Sequence, residues 1–262
     1  MMDLILIIPF TDLSGGTVGL SSHATPKRFR FVVCLGPTTQ NRLDIYEGDS
    51  IEGFSYAAIS YLWADKPHVC TDVTKCLGSF HVVGATDSGG DPIYIDILQT
   101  VALAALQLNC GFLWIDQVCI MQADPEDRRW QVMGMYEIYK NCEACLVFPG
   151  GLGQLVGLQD ETEWITRAWT QQEAMAPKNV MCVFHFDLIG PDVTSWFMHG
   201  TFPFGIRLVQ DGYSAMVSLD NLLQGVVSLN PTLSIQRGGI QHQEEIPIPI
   251  EIFENTGALL SL

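Results

Sequence analysis

The residues in this chain best suited to chemistry are two acids, each in aromatic and polar company. Asp116 follows the apolar run Phe112-Leu-Trp-Ile115 and precedes Gln117-Val-Cys119. An acid at the carboxyl end of a parallel strand lies where open α/β sheets bind ligands, and there it can hold ribose hydroxyls or orient a neighbouring donor. It can equally do no more than accept hydrogen bonds from the turn after it, since Asp is common at strand-to-turn junctions. The second acid, Glu173, closes the stretch Arg167-Ala-Trp-Thr-Gln-Gln-Glu173. Trp169 and Glu173 have the spacing that puts two side chains on one face of a helix. An indole beside a carboxylate supplies a stacking surface and a charge, and raises the acid's pKa where water is excluded. The plainer alternative is a surface glutamate beside an ordinary core tryptophan.

Secondary structure must bring these distant segments together. Apolar residues at Ile97, Val101, Ala104, Ala105 and Leu108 have helical spacing, with Asp96 as N-cap and Gly111 past the end. Phe112–Ile115 reads as a short buried strand. Asp124-Pro-Glu-Asp127 opens the next helix with a capping acid, a proline at the first position and acids at the positive dipole end. Its apolar face is expected to carry Val132, Met135, Tyr136 and Tyr139. A strand at Cys145–Phe148, a helix over 163–175 and a strand at Val180–Phe186 follow. Upstream, Phe29–Leu35, Tyr56–Trp63 and Phe80–Val83 read as strands, the last within a loop punctuated by Pro and Gly. The alternation of helix and strand over 97–186 predicts parallel strands with right-handed crossovers, and therefore an α/β fold with an open, doubly wound, mainly parallel sheet. Residues 1–26 read as an irregular leader that can include an edge strand, 27–188 as the domain, and 189–262 as a weakly ordered, irregular C-terminal extension.

Composition narrows the function classes. The chain has 262 residues, only 13 Lys and Arg, and a net charge of −16. Nucleic-acid binding depends on neutralising phosphates and is not expected; an anionic membrane surface is disfavoured for the same reason. A single small anion needs only a few local donors and stays compatible. No stretch approaches the roughly 20 apolar residues of a spanning helix, so a soluble, cytoplasmic protein is expected. Cys34, Cys110, Cys119 and Cys182 lie in apolar segments, which fits reduced core thiols. Cys142-Glu-Ala-Cys145 has no second pair to complete a metal site, and it ends a helix rather than opening one. It reads as core packing, and no metal site is expected. Met133, Met135, Tyr136 and Tyr139 read as core or as an interaction face, with core preferred.

Three blocks recur in a telling order: Ala58-Ile-Ser-Tyr-Leu-Trp63, Trp114-Ile-Asp-Gln-Val-Cys-Ile-Met-Gln122 continued by Asp127 to Tyr139, and Arg167 to Glu173. Together they resemble the heterokaryon-incompatibility (HET) domain of fungi, over residues 54–175. The first block departs from the family in having Ala64 where a glycine is usual. HET domains look like distant relatives of TIR domains, so the resemblance implies a flavodoxin-like fold and a role in cell-death signalling. Trp169-Thr-Gln-Gln-Glu173 has the spacing of the TIR Trp-x-x-x-Glu block. The resemblance thereby nominates Glu173 as the catalytic carboxylate of an NAD glycohydrolase. Trp169 or Trp114 would pack the pocket, with Asp116 and Arg167 supporting it. NAD would be the substrate and no cofactor would be required. Partners would be a second copy or a separate sensor protein, because no sensor domain is recognisable after residue 188. The competing expectations are a non-catalytic assembly module, or a family member without activity.

Overall fold

Runs rich in apolar, aromatic and β-branched residues pair into one large mixed sheet in the computed structural model. It describes residues 2–34, 41–64, 77–157, 162–164, 167, 170, 172–185, 209 and 214–219, with the backbone alone of 171, 207–208, 235–237 and 240–242. The elements are β1 (Asp3–Pro9), α1 (Phe10–Leu13), β2 (Thr17–Val18), β3 (Phe29–Val33), β4 (Arg42–Gly48), β5 (Tyr56–Tyr61), β6 (Ser79–Val82), β7 (Ile93–Tyr94) and α2 (Ile95–Gln107). They continue with β8 (Phe112–Trp114), α3 (Asp116–Cys119), α4 (Pro125–Asn141), β9 (Ala144–Phe148), α5 (Thr170–Met175), β10 (Val180–His185), β11 (Arg207–Leu208) and β12 (Ser214–Ser218). A hairpin of β13 (Ile235–Arg237) and β14 (Ile240–His242) ends the series. The main sheet runs β1-β4-β3-β8-β5-β9-β10-β12-β11.

This order overturns the expected open, doubly wound, mainly parallel sheet. Among the described residues of this sheet, only the pairings β8–β5, β5–β9 and β9–β10 are parallel. The pairings β1–β4, β4–β3, β3–β8, β10–β12 and β12–β11 are all antiparallel, so the sheet is mixed and antiparallel pairs outnumber parallel ones. The flavodoxin-like, TIR-like architecture inferred from the resemblance is therefore not what forms. Parallel strands need a crossover of a dozen or more residues. Only residues 34–41 separate β3 from β4, fewer than such a crossover needs, and the two strands pair antiparallel. Strand β4 gave no sequence signal, because buried acids (Asp44 and Glu47) interrupt its apolar run.

The helices depart from expectation at their ends. Asp124 does cap α4, its side chain accepting from the amides of Glu126 and Asp127 at 2.9 and 3.0 Å. The inward face of α4 carries Asp127, Gln131, Met135, Ile138 and Tyr139, whereas Tyr136 is 51% exposed and not part of the expected apolar face. Met133 also faces solvent. Asp96 does not cap α2; it sits inside the first turn, and the cap position belongs to Tyr94. Helix α5 is much shorter than the expected 163–175.

Beneath the sheet, Trp114 meets Tyr139 edge-on, with ring centroids 5.7 Å apart. Cys34, Cys110, Cys119, Cys142, Cys145 and Cys182 are free thiols and all buried. Burial pushes the Cys142 thiol up to about 12, and it donates to the Tyr139 carbonyl at 3.0 Å.

The least expected core feature is charged. Arg30 on β3 and Asp127 on α4 are both 0% exposed. They pair twice, Nη2 to Oδ1 at 2.7 Å and Nη1 to Oδ2 at 3.0 Å. Arg30 also donates to the carbonyls of Cys119 and Thr25, each at 2.8 Å. Asp127 accepts from the amides of Lys27 at 2.7 Å and Met121 at 3.0 Å. Deleting one member of such a pair strands the other charge away from water. Asp127→Asn or Arg30→Met should each lower stability by roughly 3–5 kcal/mol in urea unfolding. Losses under about 1 kcal/mol, the range of a surface pair, would contradict a buried-pair role.

Candidate functional site at the carboxyl ends of β5 and β8

Strands β5 and β8 are parallel neighbours, with Ala58 opposite Trp114, so their carboxyl ends adjoin. β8 leaves the sheet through Ile115, whose extended backbone (φ −121°, ψ 114°) lets α3 begin at Asp116. The half-buried Asp116 side chain is held on three sides. Tyr61 Oη donates to Oδ1 at 2.5 Å, Trp63 Nε1 to Oδ2 at 2.6 Å, and the Gln117 amide to Oδ1 at 2.7 Å. Gln122 Nε2 reaches back to the Asp116 carbonyl at 2.7 Å. Burial raises the Asp116 pKa above its ordinary 3.8, while these three donors and the Arg167 charge oppose the rise.

Glu173 arrives from α5 and is 2% exposed, which rules out the surface-glutamate alternative. Its Oε2 accepts from Ser60 Oγ at 2.5 Å, and Ser60 Oγ accepts in turn from Trp164 Nε1 at 2.7 Å. Its Oε1 lies 3.5 Å from Arg167 Nη2. The other end of that guanidinium donates to the Tyr61 carbonyl at 2.6 Å. Thr170 Oγ1 donates to the Trp164 carbonyl at 2.6 Å and pins the start of α5. Burial raises the Glu173 pKa above 4.5; Arg167 and Ser60 oppose this, and the Asp116 charge adds to it. The two carboxylates therefore sense one another across Tyr61 and Arg167. Tyr139 lies beneath, its hydroxyl donating to the Ile59 carbonyl at 3.0 Å. Its own pKa is raised by burial first and then by the Glu173 charge.

Of the residues singled out in the sequence, Asp116, Arg167 and Glu173 are brought into one cluster. Trp114 is not at their surface; it is fully buried in the core against Tyr139, and its Nε1 has no partner among the described residues. Trp169 lies outside the described residues. Ser60, Tyr61, Trp63 and Trp164 complete the cluster without having been assigned a role. The first three carried a signal, since they sit at the end of a strand beside the one that leads to Asp116. Trp164 carried none. Among the described residues no group of three or more His, Cys, Asp or Glu could hold a metal ion. No helix among them is long and apolar enough to cross a membrane.

The fold and the cluster define a mixed-sheet α/β domain with two coupled carboxylates at adjoining strand ends. Residues 56–160 match the family described as Heterokaryon incompatibility protein (HET), which supports a domain of that kind over this stretch. The match includes the blocks around Ser60 and Asp116 and ends before Arg167 and Glu173. Those two are joined to it by contact, Glu173 through Ser60 and Arg167 through Tyr61. No curated protein and no solved structure matches the chain.

The direction of the Glu173 shift fixes a pH dependence. A carboxyl whose pKa is raised on folding contributes stability that is complete below its unfolded value and is lost as pH rises through the folded value. Glu173→Gln removes this titration. The melting temperature of the variant should therefore gain on wild type as pH rises from about 4 to about 7, as read by thermal melts across that range. A difference that stays flat would mean that Ser60 and Arg167 cancel the cost of burial.

Proposed function

We propose that this chain acts in heterokaryon-incompatibility signalling that ends in cell death, with Glu173 as the carboxylate of an NAD glycohydrolase. The observation behind this reading is the meeting of Asp116 and Glu173 around Tyr61 and Arg167, at the carboxyl ends of parallel strands where α/β sheets bind ligands. Breaking the nicotinamide–ribose bond builds positive charge on the ribose carbon. A fixed carboxylate with little water around it stabilises that oxocarbenium-like state. Ser60 fixes one Glu173 oxygen, and the Arg167 charge favours the ionised form against burial. Asp116 adds a second negative charge and an acceptor for ribose hydroxyls. Nicotinamide leaves neutral and needs no acid; water then bonds to the ribose carbon in its place and gives up one proton to the solvent. NAD is the substrate and no cofactor enters. A second copy or a sensor protein would supply the activating contact.

One observation favours a second reading, an assembly module that recruits partners without chemistry. Met133 and Tyr136 stand on the outer face of α4 at 76% and 51% exposed, and Met175 is 70% exposed on α5, which packs against α4. Apolar side chains so placed suit a protein partner. The readings separate by chromatography of NAD incubated with the concentrated full chain, alone and with a crowding agent. Nicotinamide release that falls at least about 100-fold in Glu173→Gln, a loss of some 2.7 kcal/mol of transition-state stabilisation, is expected. Intact NAD beside folded, concentrated protein would remove the catalytic reading and leave assembly.

A further inference from the structure

We infer that Arg167 is the anion receptor of this site, and that its bridge to Glu173 is a latch which the diphosphate of a nucleotide substrate displaces. The inference rests on the reading of this cluster as a substrate site and names the chemical group it would recognise. Solvent reaches the two partners unequally: the Arg167 side chain is 22% exposed and that of Glu173 only 3%. An incoming ligand therefore meets the guanidinium first.

The guanidinium is also used unevenly. Nη1 is committed to the Tyr61 carbonyl at 2.6 Å, which ties the group to the end of β5. Nη2 stands 3.5 Å from Glu173 Oε1, well beyond the 2.7–2.9 Å typical of a charge-assisted hydrogen bond. The weaker of the two contacts is thus the one that covers the carboxylate. A planar guanidinium matches phosphate oxygens with two parallel donors, and its charge does not titrate away. Exchanging Glu173 for phosphate on Nη2 would leave the Tyr61 anchor in place and uncover Oε1. Ser60 would still hold Oε2, so the carboxylate would be freed without being misplaced. Among the described residues, the Arg167 charge acts on both Asp116 and Glu173. A bound anion must therefore compete with Glu173 for Arg167, and that competition is measurable.

Calorimetric titration of the full chain with inorganic pyrophosphate, without metal ions, tests this. Wild type should bind weakly. Glu173→Gln removes the internal competitor while keeping a hydrogen-bonding partner for Ser60, and should bind about tenfold tighter. Arg167→Gln should bind at least about tenfold more weakly than wild type, and Arg167→Lys, which keeps the charge but not the fork, should fall between them. A merely structural Arg167–Glu173 pair would give no gain on neutralising Glu173. Unchanged affinity in Glu173→Gln, wild-type affinity in a folded Arg167 variant, or no binding by wild type and Glu173→Gln at millimolar pyrophosphate would each overturn the inference. The outcome is separable from catalysis. The expected affinity pattern with NAD left intact would retain the receptor and discard the hydrolase. NAD cleavage with pyrophosphate affinity blind to both residues would do the reverse.

Discussion

The buried pair of Arg30 and Asp127 is the contact on which the arrangement of this domain turns. It joins β3, the loop carrying Thr25 and Lys27, the turn after α3, and α4 at a single point. Two unexposed charges are tolerated only with bonds on nearly every side. Those bonds come mostly from backbone, so the pair dictates where four chain segments lie. The turn it grips, from Cys119 to Met121, is the far end of the segment that begins at Asp116. Gln122 closes that segment by reaching back to the Asp116 carbonyl. The position of one carboxylate in the cluster is thus set from beneath by an ion pair on the other side of its turn.

The other carboxylate is held differently. Glu173 depends on side chains: Ser60 and, more loosely, Arg167. The two halves meet on consecutive residues of one strand. Successive side chains of a strand point to opposite faces; Ser60 bonds Glu173 and Tyr61 bonds Asp116. Strand β5 lies between β8 and β9, and burial on both faces leaves it no freedom to slip. A one-residue slip would exchange the two faces and break both contacts.

Much of the site could be read from the sequence, because its first half is local. An apolar run, an acid, a turn and a capped helix are signals carried within about one stretch of chain, and Asp116 stands where they place it. The plainer role weighed for it is met, since it accepts from the Gln117 amide, and Tyr61 and Trp63 donate to it as well. The failures are non-local. Trp114 looked like a pocket wall, but burial of its strand on both sides puts it in the core. The strand β3 was legible but its antiparallel partner β4 was hidden, because β4 carries buried acids where pattern reading expects apolar residues. Arg30 and Glu47 look like surface residues until Asp127 and Thr25 are brought to them by the fold.

The contact between Ser60 and Glu173 spans 113 positions of sequence. A ribosome builds the chain from its amino end, so β5 must wait for β8, β9 and finally α5 before the cluster can close. Until α5 has emerged, Asp116 already has its partners Tyr61 and Trp63, while Ser60 has no acid to hold. Whatever this site does is therefore withheld from every unfinished chain and begins only in a molecule synthesised through α5.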